Sequence, residues 1–155
     1  MGGKSNEIQL TIIDDIILNE RYSEIQNIRN IGLNDNDLKV KYSKPIIDKY
    51  GEYFIVHPPL KKSMKMKSGS CYGNAHKKNR DNGYKYVEGI IRSKYTGIEI
   101  SHAWNVDTNG KHFDFTITDT ENYDYYGIIV PFDLRYEISS KTGKVWYCVL
   151  PYINI

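Results

Sequence analysis

Cysteine is scarce in this chain, with only Cys71 and Cys148 among 155 residues. Two cannot make the disulfide framework of a small secreted domain, so the expected setting is a reducing compartment: the cytoplasm, or the host cytosol for a viral chain. An excess of one charge is also lacking. Lys and Arg number 21 against 19 Asp and Glu, a net of +2, and that balance does not call for a nucleic-acid partner. The Lys61–Lys67 run and "HKKNR" are the only basic stretches, and the rest of the chain offsets them. No apolar run reaches the length that spans a bilayer, and "MGGKSNEIQLT" lacks the apolar centre of a secretory signal, so no membrane association is expected. The same segment misses an N-myristoylation site, with Asn6 where Ser or Thr is required, and "GGKS" lacks the upstream glycine and strand of a phosphate-binding loop. Metal-ligand spacings are missing too. Cys71, His76, His102 and His112 contain no Cys-x-x-Cys or His-x-x-x-His pair, so neither metal nor other cofactor is expected.

What is present is the composition of an ordinary globular domain, 40% hydrophobic and 26% charged, with an aromatic set dominated by 14 Tyr. A chain of this length is expected to form a single domain over 1–155, burying roughly two-thirds of its unfolded surface, with residues 1–6 as a frayed tail. Apolar residues Ile12, Ile13, Ile16 and Ile17 recur at helical spacing after Leu10. Ser23 with Gln26 reads as a capping box that opens a second helix ending at Gly32. The segment "LNDNDLKVKYSKP" reads as a turn and a short strand, "PIIDKYG" as one helical turn begun by Pro45, and "EYFIVH" as a strand halted at Pro58-Pro59. After the lysine-rich loop Lys61–Ser70, "CYGNAHKKNRD" predicts a helix ending near Asn82-Gly83. Strands are then expected at "YKYVEGIIR", "IEISHAWNV", "KHFDFTI", "YGIIVPF" and "KVWYCVLPYI". The resulting class is α+β, with N-terminal helices and a Cys-bearing helix packed on an antiparallel sheet.

The chemistry concentrates in three residues. A thiol attacks a carbonyl as thiolate, and a helix N-terminus, a nearby positive loop and an imidazole all favour that form. Cys71 opens its helix and follows four lysines. His76 sits about 140° around the helix from it and is poorly placed as a base. His102, on a strand 31 residues on, is the better base, with Asp114 a further 12 residues along to orient its ring. Register decides whether those two meet. A two-residue turn at Asn109-Gly110 would set Asp114 against Asn105, facing away from His102. A three-residue loop Thr108-Asn109-Gly110, with Gly110 left-handed, sets Trp104 opposite Asp114 and His102 diagonally beside it. The second register is the expectation.

A Cys at a helix start, "HAW" opening a strand and "D-x-T" ending the next resemble the core of the papain-like and transglutaminase-like cysteine hydrolase superfamily. The fuller set "CYGNA", "YVEG", "HAWNV", "DFT" and "YYGI" is similar to small microbial and viral proteins associated with it, and covers roughly Cys71 to Ile129. The resemblance implies a papain-like/transglutaminase-like core, with Cys71 as nucleophile, His102 as general base and acid, and Asp114 as the orienting group. Departures are visible: Phe115 stands where transglutaminase-like members show Pro, Tyr72 where they show Trp, and no Gln precedes Cys71 to complete an oxyanion hole.

Around this triad, Tyr72, Asn74, Glu88 and Trp104 are the candidates for substrate binding or for support of the triad. Asn74, one turn after Cys71, would hold a loop or touch substrate. Glu88 is either an exposed strand charge or, as the resemblance implies, a buried acid holding a nearby loop, and Trp104 either a wall of the site or core. His57 reads as a strand end, His112 as a reserve base, and Cys148 as core packing. The expected activity is cysteine-dependent hydrolysis or acyl transfer (protease, deamidase or transglutaminase-like) on an amide, isopeptide or thioester bond of a protein or peptide-like substrate. The alternative is a non-catalytic binding module or antagonist on the same fold.

Overall fold

A computed structural model describes residues 9–144 and 146–155; the expected tail over 1–6 and Val145 lie outside them. Among the described residues, four α-helices accompany six strands, an α+β architecture. The sheet is built from β1 (Glu52–Phe54), β2 (Val56–His57), β3 (Lys85–Ser93), β4 (Glu99–Val106), β5 (His112–Phe113) and β6 (Tyr123–Ile129), in the order β1-β6-β3-β4-β5-β2. All neighbours are antiparallel except β2 and β5, which run parallel, so the sheet is mixed rather than the antiparallel one expected. Only Ile55 separates β1 from β2, yet they occupy opposite edges. One residue spans under about 7 Å of chain between its neighbours' Cα atoms, so the sheet must curl until its edges nearly meet.

The curl gives the sheet two buried faces, and strand alternation sorts residues between them. Tyr86 and Ile90 of β3, Ala103 of β4 and Ile128 of β6 pack with Leu18, Ile25, Ile46 and Ala75 from the helices. Val87, Ile91, Trp104, Val106 and Tyr125 point into the curl, where they meet Val56 and Phe54. Each such aliphatic side chain removed from water contributes about 1.5–3 kcal/mol. Gly127 is required at one point: a Cβ there would lie 2.6 Å from Trp104 Cη2, so the indole occupies the space a side chain would need.

The helices depart from the sequence reading where tertiary contacts outweigh local signals. The first two expected helices are one, α1 (Asp15–Asn30), capped by Asp14 Oδ1 accepting from Ile17 N–H at 3.0 Å. Nothing between Leu18 and Tyr22 breaks a helix, so Ser23 lies inside it, and Ile12 instead bridges to Ile153. The expected turn, strand and single helical turn over 33–51 are α2 (Asn36–Tyr50), with Pro45 inside. Asn34 Oδ1 takes the Asn36 N–H at 2.8 Å to start it, and burial of Ile46 and Ile47 offsets the roughly 3 kcal/mol that an interior proline costs. "EYFIVH" is split into β1 and β2 on opposite edges. α3 (Cys71–Asn82) ends as expected, at Gly83 with φ +73°. "YGIIVPF" stops at Ile129, and α4 (Phe132–Thr142) follows Pro131, a helix the sequence reading left out. The described part of "KVWYCVLPYI" is not a strand but a looped segment with a 3-10 turn at Leu150–Tyr152. Its ladder donors are taken by a side chain: Glu88 accepts from Val149 and Leu150 N–H at 2.8–3.0 Å, and Pro151 has no N–H to give.

Candidate active site

The hairpin that carries His102 adopts the three-residue register. Asp107 N–H donates to the Lys111 carbonyl at 2.9 Å, Val106 pairs with His112 and Asn105 with Phe113, and Gly110 has φ +83°. Asp107 Oδ1 accepts from the N–H groups of Asn109 and Lys111 at 2.9 Å, which fastens the loop. Continued one residue, that register sets Asp114 against Trp104 and beside His102. The His102 Nε2–Asp114 Oδ2 distance is 2.7 Å, with both side chains buried.

Asp114 is held on every side. Oδ1 accepts from Thr116 and Ile117 N–H at 2.8 and 2.9 Å, an Asx turn that explains why the strand stops there, and Oδ2 also accepts from the Tyr125 hydroxyl at 2.8 Å. Burial would raise its pKa, but His102 and these backbone donors prevail and hold it below the usual carboxylate range. The Tyr125 hydroxyl is pushed the other way, up, by burial and the Asp114 charge, and so remains a donor.

For His102, burial opposes the charged ring, yet the Asp114 carboxylate and the Cys71 sulfur, by charge and by hydrogen bonding, outweigh it and push the pKa up to about 10. The ring is therefore an imidazolium at neutral pH. With Nε2 committed to Asp114, Nδ1 is the nitrogen left to serve the thiol. Cys71, the first residue of α3, is partly exposed. No side chain caps this helix end, and the N–H groups of its first turn have no intrahelical acceptor, so they are available to a developing oxyanion beside the sulfur.

Asn74 joins the two halves of the site. Its Nδ2 donates at 2.8 Å to the Lys67 carbonyl, in the loop leading to Cys71, and at 2.8 Å to Thr116 Oγ1, in the turn made by Asp114. Both amide hydrogens are used, so Asn74 holds the loop rather than offering a donor to substrate. Met66 N–H adds a 2.7 Å bond to the Phe115 carbonyl across the same seam.

The remaining candidates lie behind the site. Trp104 is 1% exposed in the curl of the sheet; its indole donates to His112 Nδ1 at 2.9 Å and packs edge-on to Tyr125 at 5.0 Å between centroids. It backs His102 as core rather than as an open wall. His112 accepts that bond and stacks on Phe54, and burial keeps its pKa down at about 4, so it is a neutral structural group. Tyr72 is buried against Tyr147, with its hydroxyl on Ser101 Oγ, and anchors the first turn of α3. Glu88, wholly buried, holds the 148–150 loop and takes the Tyr86 hydroxyl as well; burial pushes its pKa up to about 7 despite these donors. Cys148 is buried, and burial together with Glu88 raises its pKa well above that of an ordinary thiol. His76 lies on another face of α3, away from this site, with Nε2 3.2 Å from the Tyr147 carbonyl.

Sequence reasoning missed Tyr125, Thr116 Oγ1 and the Lys67 carbonyl as supports. Tyr125 shares its sheet face with Gly127 and Trp104, a relation visible only once β6 is paired with β3. Among the described residues, no group of three His, Cys, Asp or Glu is gathered to hold a metal ion, and no helix is long and apolar enough to cross a membrane. Protein-family models, curated proteins and solved structures were all compared with the chain, and none matches it.

Proposed function

We propose that the protein is a cysteine-dependent hydrolase or acyltransferase of the papain-like/transglutaminase-like kind, acting through Cys71, His102 and Asp114. One observation carries the reading: a buried imidazole bonded at 2.7 Å to a carboxylate with three further donors, its charge favoured by the sulfur of a Cys that opens a helix. A His–Asp pair that only braced the sheet would have no need of a sulfur close enough to favour the charged ring. A Cys-bearing helix on a curled sheet that supplies the imidazole and the acid also suits the resemblance of "CYGNA", "HAW" and "D-x-T".

In this reading the Cys71 thiolate attacks the carbonyl carbon, and the oxyanion is met by N–H groups of the first turn of α3. His102 Nδ1–H gives its proton to the leaving amine as the C–N bond breaks, leaving a thioester on Cys71. Nδ1 then takes a proton from water, or from an acceptor amine, whose attack releases the acyl group and restores the thiolate. Asp114 keeps the ring in place throughout. The substrate is a protein or peptide-like amide, isopeptide or thioester, and a reducing cytoplasm suits a chemistry that needs the free thiol.

Competitive labelling with iodoacetamide from pH 5 to 9 tests the reading, with Cys71 and Cys148 quantified by peptide mass spectrometry. Cys71 is expected to react at pH 6 at least tenfold faster in the wild type than in His102→Ala, while the buried Cys148 stays slow in both. Slow labelling of Cys71 at pH 6, unchanged by His102→Ala, would favour a binding module without turnover.

A further inference from the structure

Away from Cys71, a cavity of about 500 Å³ opens between α3 and α4. Its walls are predominantly apolar and include the rings of Phe132, Tyr136 and Trp146, while His76, Asn79 and Arg135 line its base. This volume lies within the roughly 300–1,000 Å³ typical of small-molecule sites.

Arg135 is the unusual member. It is 4% exposed, and its three recorded acceptors are all neutral: the Val130 carbonyl at 3.2 Å, His76 Nδ1 at 2.8 Å and Asn79 Oδ1 at 2.6 Å. Its guanidinium lies 4.7 Å from the Tyr86 ring centroid. Among the described residues no carboxylate comes within ion-pair reach of it. A guanidinium has five N–H donors, and these bonds use three, leaving one on each terminal nitrogen. A buried cation without a direct counter-ion is costly unless something else supplies the charge, and Glu88, beyond Tyr86, does so only at a distance. His76 cannot, because burial and the Arg135 charge, against the Tyr147 carbonyl, keep it neutral with a pKa of about 4. At the rim, Arg80 is already neutralised by Asp81 at 2.7 Å. Trp146 stands at the cavity with φ +63°, a left-handed conformation rare for a residue with a side chain and concentrated at ligand clamps.

We propose that this cavity binds a small amphipathic carboxylate, its apolar body among Phe132, Tyr136 and Trp146 and its anionic head on the two spare N–H groups of Arg135. One planar cation and apolar walls suit a monocarboxylate, which matches the guanidinium fork. A phosphate dianion would bring a second charge that the single buried guanidinium does not match.

The chain contains two tryptophans, and Trp104 is sealed in the core, so Trp146 emission reports occupancy. Decanoate, decanol and decyltrimethylammonium, each below its micellar concentration, separate head-group recognition from greasiness. Decanoate is expected to shift the emission and to bind at least tenfold more tightly than decanol, with the cation weakest. The shift should vanish in Trp146→Phe. Arg135→Met should bring decanoate down to the affinity of decanol. Should that variant not fold, Ser140→Phe, on the exposed face of α4 at the cavity, is expected to abolish both affinities by calorimetry while circular dichroism is unchanged. Decanoate binding no tighter than decanol, no binding of decanoate at all, or affinity undiminished in Ser140→Phe would overturn the proposal.

Discussion

Two histidines, His102 on β4 and His76 on α3, are almost equally buried, at 4% and 5% exposure, yet their protonation is opposite. Burial disfavours the charged ring in both. Beside His102 stand a carboxylate and a sulfur, and the ring is driven to about 10; beside His76 stands the Arg135 guanidinium, and the ring falls to about 4. Burial alone therefore does not decide what a histidine can do. At His76 burial prevails, with the Arg135 charge adding in the same direction, and the ring is a neutral brace between the Tyr147 carbonyl and Arg135; at His102 the carboxylate and the sulfur overturn burial and favour the charged ring.

The strongest way to break this contrast is Asp114→Ala. It removes one partner of a buried pair and is expected to cost about 3–5 kcal/mol in urea unfolding at pH 7. The wild-type dependence on pH has two limbs. Asp114 is depressed when folded, so its contribution is present above its unfolded value near 3.8 and is lost as pH falls through the folded value. His102 is raised, so its contribution is full below 6.5 and is lost as pH rises through about 10. In Asp114→Ala the alkaline loss should begin at lower pH; an unchanged alkaline limb would show that Asp114 does not set the charge of His102.

Gly127→Ala comes next, pressing on the indole that backs His102. With Trp104 Cη2 2.6 Å from the new Cβ, a loss of about 1–3 kcal/mol is expected, along with slower alkylation of Cys71. A variant as stable as the wild type would mean that the indole shifts without cost. Asn74→Ala removes two hydrogen bonds between the Cys71 loop and the Asp114 turn. About 1–2 kcal/mol of lost stability is expected, with a larger proportional loss of Cys71 reactivity, whereas equal losses in both would make Asn74 a purely structural tie. The smallest effect sharpens the other side of the contrast: in Arg135→Met the His76 pKa, followed by NMR titration, is expected to rise but stay below 6.5, because burial, the larger cause, remains.

How far the sequence revealed these features depended on whether their causes were local. α3 and the His102 hairpin were legible because Gly83 marks the end of the one and Gly110 the turn of the other. The approach of His102 to Asp114 followed only once the three-residue loop was chosen over the two-residue turn that Asn109-Gly110 also allows. α2 was not legible, because Pro45 and the run "NDND" argue locally against a helix that long-range burial stabilises. The C-terminal segment failed for a similar reason. Its alternation suits a strand, but the groups that would form the ladder are claimed by Glu88, some sixty residues earlier. For Glu88 the residues left an exposed charge and a buried loop-holding acid both open; only the resemblance favoured the acid, and which loop it holds was not legible. Tyr125 and Thr116 were missed because supporting hydrogen bonds across a curled sheet leave no periodic trace.

The most direct test of the triad is intact-protein mass spectrometry during reaction with p-nitrophenyl acetate. An acetyl group is expected to appear on Cys71 and then to clear by hydrolysis in the wild type. Its formation should be slowed at least a hundredfold in His102→Ala and to a lesser degree in Asp114→Asn. Acetylation of Cys71 at the same rate in wild type and His102→Ala, or no acetylation of Cys71, would contradict the account.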